Sequence, residues 1–315
     1  MAERANVAEP DKPKDVASAP SEPPMREVRN VVELDEMLKE VDAAHAVSAD
    51  ALLAKLHSFR FVADPGAMSS DPLSDEYARY QMSLYELIAG RPYQVENERI
   101  DFLVESHKFV PFPYYTESWQ IVSDHLLMLG LIVKTLRLPP KASILEFGSG
   151  YGNTTVALAR MGYRVTAVDI DERFLDIIRY RSRDLPSPPR LVVGDFLSLK
   201  EMDERFDAIL FYESFHHCSD HRALIDSFAD HLAPGGQIAF ASEPITDAFS
   251  APWGLRLDGQ SVWSTRRFGW LELGFTETYF REAMGRAGYV VDKHVYPVTG
   301  IGTIFIARLE QRPVA

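Results

Sequence analysis

Between residues 143 and 241, short apolar runs alternate with segments in which apolar residues recur every three or four positions. The short runs predict buried strands, and the recurring pattern predicts amphipathic helices. The predicted strands are 143–147, 164–170, 190–193, 206–212 and 237–241, and two more follow at 290–295 and 303–307. Because strands that alternate with helices are typical of α/β domains, the pattern predicts a doubly wound, seven-stranded sheet built from parallel βαβ units.

The part of the chain before this region shows only helical periodicity. Residues 1–28 are rich in Pro, Ala, Glu and Lys and poor in large apolar side chains, so we expect a disordered tail there. Helical patterns follow at 31–56, 72–88 and 116–136. Residues 29–137 are therefore interpreted as a helical cap, either a lid or a dimerisation element of a homodimer, and residues 138–315 as the main domain.

Composition and charge narrow the classes of function. The 315 residues include 46 Asp and Glu against 33 Lys and Arg, a net charge of −13, which disfavours a nucleic-acid surface. The one cysteine, Cys218, excludes an internal disulfide framework and a cysteine-rich zinc site. No apolar run approaches the ~18–20 residues of a membrane span, and the first residues show no secretory signal. We therefore expect a cytoplasmic protein without a nucleic-acid partner or a membrane span.

A glycine-rich turn follows the first strand of the alternating region. Gly148, Gly150 and Gly152 stand where glycine lets the backbone turn sharply and lets a ligand approach it closely. Asp169 ends the next strand, where a carboxylate can bind ribose hydroxyls. Glu146, just before the turn, suits a ligand with an amino group better than a pyrophosphate. The turn predicts a nucleoside-containing cofactor, and a tight turn without a ligand is the alternative.

Five motifs, in this order and over roughly residues 140–310, resemble those of class I S-adenosylmethionine-dependent methyltransferases. They are Glu146-Phe-Gly-Ser-Gly-Tyr-Gly152, Asp169, Val192-Val-Gly-Asp-Phe196, the strand and turn at 206–217, and Leu232-Ala-Pro-Gly-Gly236. The resemblance implies a Rossmann-like fold with a reversed last strand and S-adenosylmethionine as the cofactor. Some of the bacterial enzymes that the chain resembles act on small molecules or occur beside glycosyltransferases.

The resemblance also implies a set of cofactor-binding residues at the strand ends. They are Glu146, Gly148, Ser149, Gly150, Asp169, Ile170, Asp195, Phe196 and, from the cap, Tyr115. In the family, the glycine-rich motif contacts the amino-acid part of the cofactor, which implies that Asp169 holds the ribose and that Asp195 reaches the adenine amino group. Tyr115 would close over the positively charged sulfonium, which aromatic faces attract.

The turn after the fourth strand supplies candidate catalytic groups, namely Glu213, His216 and His217. Methyl transfer is an in-line displacement that depends mainly on alignment, and a base that takes the proton of an acceptor hydroxyl assists it. Imidazole, with an unperturbed pKa of about 6.5, suits that role. The sequence does not separate the two histidines, and a packing role is the alternative for either. Because the acidic cluster of metal-dependent members is absent, we expect no metal, although a divalent cation bound by Glu213, His216, His217 and Glu243 is a second interpretation.

Residues 246–275 form a longer link than the family usually has between the fifth strand and the last helix. Ligands of α/β sheets lie outside the carboxyl ends of the strands, so this insertion is placed to cover an acceptor. Trp253, Trp263, Trp270 and Arg256 are the candidate substrate-binding residues, and packing of the tryptophans onto the core is the alternative. The sequence thus predicts O-methylation of a sugar, glycan or other small polyhydroxylated acceptor. N- or C-methylation of a secondary metabolite is the alternative, and a nicotinamide-dependent oxidoreductase a remote one.

Overall fold

The computed structural model describes residues 25–63 and 69–310. The strands are β1 (Arg26–Val28), β2 (Phe59–Phe61), β3 (Ser143–Phe147), β4 (Arg164–Asp169), β5 (Arg190–Val193), β6 (Phe206–Tyr212), β7 (Leu232–Ala241), β8 (Trp253–Leu255), β9 (Leu273–Phe275), β10 (Tyr289–Val295) and β11 (Thr303–Leu309). The helices are α1 (Val31–His45), α2 (Ala49–Leu56), α3 (Asp75–Ala89), α4 (Val104–Phe109), α5 (Trp119–Leu136), α6 (Asn153–Arg160), α7 (Glu172–Ser182), α8 (His221–His231), α9 (Gly259–Arg267) and α10 (Glu277–Arg286).

A seven-stranded sheet forms the centre of the molecule, with the order β10-β11-β7-β6-β3-β4-β5. β11 runs antiparallel to both of its neighbours, and the remaining pairs in the sheet are parallel. The chain order reverses between β3 and β6, so the carboxyl ends of these two strands flank the crevice where α/β folds bind ligands. The predicted α/β fold, including its reversed last strand, is confirmed.

Alternate side chains of the central strands enter two different cores. On β3, Leu145 and Phe147 join a core that also contains residues of α8, α10 and the cap, whereas Ile144 joins a second core with α5 and α6. A parallel sheet covered on both faces needs apolar side chains in both directions, which explains the nearly continuous apolar runs in the sequence.

The cap helices α1, α2 and α3 pack on the first of these faces. Leu34 of α1 and Tyr77 of α3 belong to the same buried cluster as Phe147 of β3. β1 and β2 pair with each other in a small parallel sheet beside the cap. The structure therefore differs from the predicted tail of residues 1–28 at its end, because residues 26–28 form β1 and Val28 is buried. Residues 1–24 lie outside the described part of the chain.

Helix α5 packs against the sheet rather than within the cap. The side-chain oxygen of Ser118, the residue before the helix, caps its first turn. Met128 and Ile132 of the helix are buried in the second core. The predicted boundary at 137/138 therefore separates α5 from the sheet on which it packs. Within the two described ranges, neither α5 nor any other helix has the length and apolar character that a membrane crossing requires.

The predicted insertion at 246–275 folds into β8, α9 and β9. β8 and β9 form an antiparallel pair in which Trp253 lies opposite Phe275. Gln81 of α3 accepts a hydrogen bond from the backbone N–H of Leu255 at 3.1 Å. The insertion and the cap are therefore packed against each other, on the side of the sheet that holds α3.

Candidate active site

A cavity of about 400 Å³ lies at the carboxyl ends of β3, β4, β5 and β6. Its walls combine the glycine-rich turn, the residues just after β4, β5 and β6, a cap segment at residues 93–112, and Trp270. A second cavity of about 160 Å³ adjoins it and shares a set of wall residues with it. The shared residues are Phe112, Gly148, Gly150, Tyr151 and Glu213. The two cavities therefore form one elongated site along the edge of the sheet.

The three positions of the glycine-rich turn favour glycine for different local reasons. Each has a positive φ, which favours glycine. A Cβ on Gly148 would lie 2.5 Å from the Cβ of Ser214, and a Cβ on Gly152 would lie 2.1 Å from Cγ1 of Ile178. A Cβ on Gly150 would meet no atom of the described part of the chain within 4 Å and would project into open space beside the cavities. Two glycines thus permit packing, and Gly150 keeps space open for a ligand.

Two carboxylates are buried behind this turn. Asp169 accepts hydrogen bonds from the backbone N–H of Gly150 at 2.8 Å and of Asp171 at 3.0 Å. Glu146 accepts one from the hydroxyl of Thr155. Burial raises the pKa of Glu146 to about 7 and that of Asp169 to about 6. A cationic ligand beside these groups would favour their charged forms, so the turn is suited to a positively charged ligand.

The other predicted cofactor residues lie along the same walls. Ile170, Asp195 and Phe196 line the larger cavity, and Asp195 also caps the short helix that begins at Phe196. Ser149 lines the smaller cavity, and its buried hydroxyl has no partner among the described residues. Tyr115 lies in a single helical turn, but its side chain is outside the described part of the chain. Its predicted contact with the cofactor stays a prediction.

His216 is held in the interior by a buried carboxylate. Its Nδ1 lies 2.8 Å from Oε2 of Glu243, and only 7% of the residue is exposed. Glu243 also accepts hydrogen bonds from the backbone N–H groups of Ser214 and Phe215, so it organises the whole turn after β6. Burial lowers the pKa of His216. His216 lies in neither cavity wall, and its contacts are those of a residue that stabilises the turn.

His217, by contrast, lines the larger cavity. Its Nδ1 lies 2.8 Å from the carbonyl oxygen of Leu271 and 3.3 Å from Oε2 of Glu98. Because both partners are hydrogen-bond acceptors, Nδ1 keeps its proton in the neutral ring, and Nε2 is the nitrogen that takes up or releases the second proton. Burial by itself would lower the pKa of His217, but the carboxylates of Glu98, Glu272 and Glu243 raise it to about 9.

Glu213 lies at the junction of the two cavities and lines both. Its φ of 51° is in the left-handed region, which turns the chain sharply after β6. The residue has an exposed surface, but protein atoms surround the carboxyl group closely enough to remove much of its hydration. That desolvation, together with the charge of Glu243, raises the pKa of Glu213 to about 7. The carboxyl group is therefore poised to accept or donate a hydrogen bond near neutral pH.

A guanidinium group accompanies Glu272, the second carboxylate beside His216. In the described ranges, His216, His217 and Glu272 each place one ligand-type atom within 4.8 Å of the others. Oε2 of Glu272, 3.7 Å from Nε2 of His216, accepts a hydrogen bond from Nη2 of Arg256 at 2.7 Å. Because Arg256 already neutralises that carboxylate, we assign no metal to the cluster. The alternative set with Glu243 is weakened as well, since Glu243 is bonded to His216 and to the turn.

The predicted substrate-binding residues separate into two groups. Trp270 lines the larger cavity. The prediction for Trp253 is wrong, because this residue is 1% exposed and its Nε1 donates to the carbonyl oxygen of Pro72. Trp263 packs at the edge of the main core and against Phe268, and lies in neither cavity wall. Arg256 donates a hydrogen bond to Glu272 and lies in neither cavity wall.

The structure adds cap residues that the sequence did not single out. Tyr93, Val95, Glu98, Ile100 and Phe112 line the larger cavity. No motif connects them to the turn after β6, because the contact depends on how the cap packs. The two prolines around Phe112 likewise give no signal of contact with the cavity.

Comparison with known proteins places part of the chain in a family. Residues 145–240 match the family described as "Methyltransferase domain". The demethylmenaquinone methyltransferase of Tropheryma whipplei is 32% identical over 121 residues, which cover 38% of this chain and 49% of that protein. The ubiquinone biosynthesis O-methyltransferase of Xylella fastidiosa is 33% identical over 99 residues, covering 31% and 40%. The chain thus spans half or less of the length of these curated relatives.

A solved structure also resembles the chain. The 1,6-didemethyltoxoflavin-N1-methyltransferase of Burkholderia thailandensis is 19% identical, with a TM-score of 0.44, over 68% of this chain and 93% of that one. The family match agrees with two features of the chain. They are the strand order β10-β11-β7-β6-β3-β4-β5 and the glycine-rich turn after β3. Residues 145–240 of the chain therefore match a methyltransferase domain, and the sheet and the glycine-rich turn agree with the predicted resemblance to class I methyltransferases.

Proposed function

We propose that the protein transfers a methyl group from S-adenosylmethionine to a hydroxyl oxygen of a small, ring-shaped acceptor, with His217 as the base. One observation carries the proposal above all others. His217, whose Nε2 can take up a proton once the ring is neutral, at a pH near or above its pKa of about 9, lines the same cavity as Gly150, Asp169 and Asp195. A proton acceptor and the proposed nucleoside site therefore share one cavity, as a transfer between two bound molecules requires.

The residues of the glycine-rich turn fit this cofactor. Ser149 offers a buried hydroxyl that has no partner among the described residues, and Gly150 leaves open space where any side chain would project. Glu146 and Asp169 supply negative charge, and Asp195 lines the larger cavity. When bound, the cofactor supplies an electrophilic methyl group on a positively charged sulfur. The protein's own part is to hold the cofactor, to place the acceptor in line with the methyl group, and to accept the proton of the acceptor.

The larger cavity also has apolar walls that suit a flat ring with an apolar face. The side chains that supply them include Tyr93, Val95, Ile100, Phe112 and Trp270. The polar groups beside them are His217, Glu213 and Glu98, which can accept hydrogen bonds from hydroxyl groups. Because Trp253 and Trp263 are not in the cavity, we favour a hydroxylated aromatic or other flat ring over the predicted sugar. The O-methyltransferase named among the relatives supports oxygen as the methylated atom.

N-methylation of an amine is the second candidate, and the charge of the site favours it. Glu98 and Glu213 would attract a protonated amine into the cavity. Such an acceptor must lose its proton before it can attack the methyl group, so His217 would act as the base in this case too. The position of the new methyl group in the product distinguishes the two candidates.

Binding and product analysis test the proposal. We expect calorimetry to detect S-adenosylhomocysteine at micromolar affinity and to detect no binding of NAD⁺. Small phenols, cyclic polyols, glycosides and aromatic amines, each incubated with methyl-labelled S-adenosylmethionine, should include one class that gains a single methyl group. Binding of NAD⁺ without binding of S-adenosylhomocysteine would overturn the cofactor assignment. Methylation confined to glycosides would overturn the flat-ring acceptor and restore the sugar.

A further inference from the structure

We propose that Glu98, a residue of the cap, is a positioning residue for His217, so that the cap completes the proton-accepting pair and does more than cover the cavity. The proposal rests on the proposed function, since it takes His217 as the base. Glu98 belongs to the short helix Val95–Glu98 and comes from the region that precedes the matched methyltransferase domain.

The two carboxylate oxygens of Glu98 have separate partners. Oε1 accepts a hydrogen bond from the backbone N–H of Leu271 at 2.9 Å, and Oε2 lies 3.3 Å from Nδ1 of His217. The side chain of Glu98 is 11% exposed, so solvent screens the pair only weakly. The bond to Leu271 fixes the direction of the carboxylate, and the second oxygen is thereby presented to the histidine.

The cap is anchored beside this contact by hydrogen bonds to neighbouring residues of the insertion. Arg91 donates to the carbonyl oxygen of Phe268 at 2.6 Å, and Tyr85 donates to that of Gly269 at 2.5 Å. With the bond from Leu271 to Glu98, the cap is bonded to three backbone positions between 268 and 271. The position of the Glu98 carboxylate therefore depends on the docking of the cap onto this segment.

The contact gives Glu98 two effects on a proton-accepting imidazole. An acceptor at Nδ1 keeps the proton on that nitrogen, so that the neutral ring presents Nε2 as its accepting nitrogen. When His217 takes up a proton, the ring becomes a cation, and a carboxylate at 3.3 Å stabilises it. Leu271 supplies the first effect as well, through its carbonyl oxygen, but it carries no charge. The stabilisation of the charged ring is the part that belongs to Glu98.

Other ionisable groups also face His217, and their charges contribute to its pKa together with Glu98. His216 and Glu213 come from the same turn, Glu243 follows β7, and Glu272 comes from the insertion. Tyr93 of the cap lies 3.4 Å from the carbonyl oxygen of His217, and burial raises its pKa.

Two of those carboxylates already have positively polarised partners. Glu243 is bonded to His216, and Glu272 is bonded to Arg256. Among the carboxylates that raise the pKa of His217 to about 9, Glu98 contributes most. Removing its charge should therefore lower the pKa of His217 more than any other single substitution in the site.

The experiment follows the titration of His217 itself, in the full-length protein without any ligand. Nuclear magnetic resonance of the histidine ring protons, assigned with H217N, gives its midpoint in the wild type and in E98Q. We expect the midpoint in E98Q to fall by at least one pH unit, and E98D to restore part of the shift. E96Q is the matched control, because Glu96 lies on the same short helix and is exposed, and we expect it to titrate as the wild type does.

With a methylated acceptor available, the same variants give a kinetic result. The pH at which turnover reaches half its plateau should fall in E98Q with the histidine midpoint, and the plateau should drop about tenfold because the charged ring loses its partner. KM for S-adenosylmethionine should stay the same. Unchanged titration of His217 in E98Q overturns the positioning role, whether or not the protein is active. A shifted midpoint supports the positioning contact even if the screen finds no methylated acceptor, a result that would instead count against the proposed function.

Discussion

The two ends of the cavity are built in different ways. The cofactor end comes from the tips of adjacent parallel strands, so that Gly148, Asp169 and Asp195 lie near one another because each ends a strand or follows it within two residues. The proposed acceptor end combines residues of the cap, the turn after β6 and the insertion. These three segments are far apart in the chain and meet only because they pack together. Local chain geometry determines the first end, and long-range packing determines the second.

This difference has a consequence for how each end responds to change. A substitution at the cofactor end acts through the conformation of one turn, so its effect should appear in ligand binding. A substitution at the acceptor end acts through side chains that hold one another, such as Glu98 with His217 and Arg256 with Glu272. Its effect should appear in turnover, in acceptor affinity, or in the stability of the packing.

The largest effect should separate the two adjacent histidines. We expect H217N to lower turnover by roughly 100-fold or more, because asparagine cannot take up the acceptor proton, while affinity for S-adenosylhomocysteine stays within twofold of the wild type. H216N should instead destabilise the fold by about 1–3 kcal/mol, because it removes the imidazole that bonds to the buried Glu243. Single-turnover rates and urea unfolding measure the two outcomes. Turnover of H217N within tenfold of the wild type would refute its role as the base.

The next effect tests the cofactor end. We expect G150A to weaken S-adenosylhomocysteine binding roughly 30-fold, equivalent to about 2 kcal/mol, because its methyl group would project toward the ligand and its φ of 48° favours glycine. G162A is the matched control, since Gly162 also has a positive φ and open space around it but lines neither cavity. Calorimetry should find wild-type affinity in G162A. Equal losses of affinity in the two variants would attribute the effect to backbone strain alone.

The pH dependence of cofactor binding is a second test of the cofactor end. Burial raises the pKa of Glu146 to about 7 and that of Asp169 to about 6, so both groups lose their negative charge as the pH falls through this range. The affinity for the positively charged cofactor should therefore decrease on acidification, by about tenfold between pH 8 and pH 5.5. Calorimetric titrations across this range measure the slope, and E146Q should flatten it. A slope of the opposite sign would contradict the assignment of these carboxylates to a cation.

The smallest effect contrasts two tryptophans of the insertion. We expect W270L to raise the acceptor KM about fivefold, in keeping with ~1 kcal/mol for a lost aromatic contact, and to leave the affinity for S-adenosylhomocysteine unchanged. W253F should leave the acceptor KM unchanged and lower stability by about 1 kcal/mol, because it removes the hydrogen bond to Pro72. Steady-state kinetics and urea unfolding distinguish the two. A raised acceptor KM in W253F would mean that the insertion moves as one unit over the cavity.

How far the sequence could predict the molecule depends on the range of the interactions involved. The strands and the glycine-rich turn were predicted because their signals are local, in apolar runs and in positions that require a positive φ. Trp253 and Trp270 look alike in the sequence, since an aromatic residue in a long link can face either a core or a cavity. Glu98 stands in a polar stretch without a motif, so nothing local connects it to His217.

The amino-acid sequence by itself determined the α/β architecture and the glycine-rich turn within the residues that match a methyltransferase domain, because both follow from backbone conformation and from the period of apolar residues over a few positions. The tertiary structure decided which histidine faces the cavity, which tryptophan lines it, and that the cap contributes a carboxylate to it. These outcomes depend on the packing of segments far apart in the chain, where contact distances and burial set the chemistry of each group.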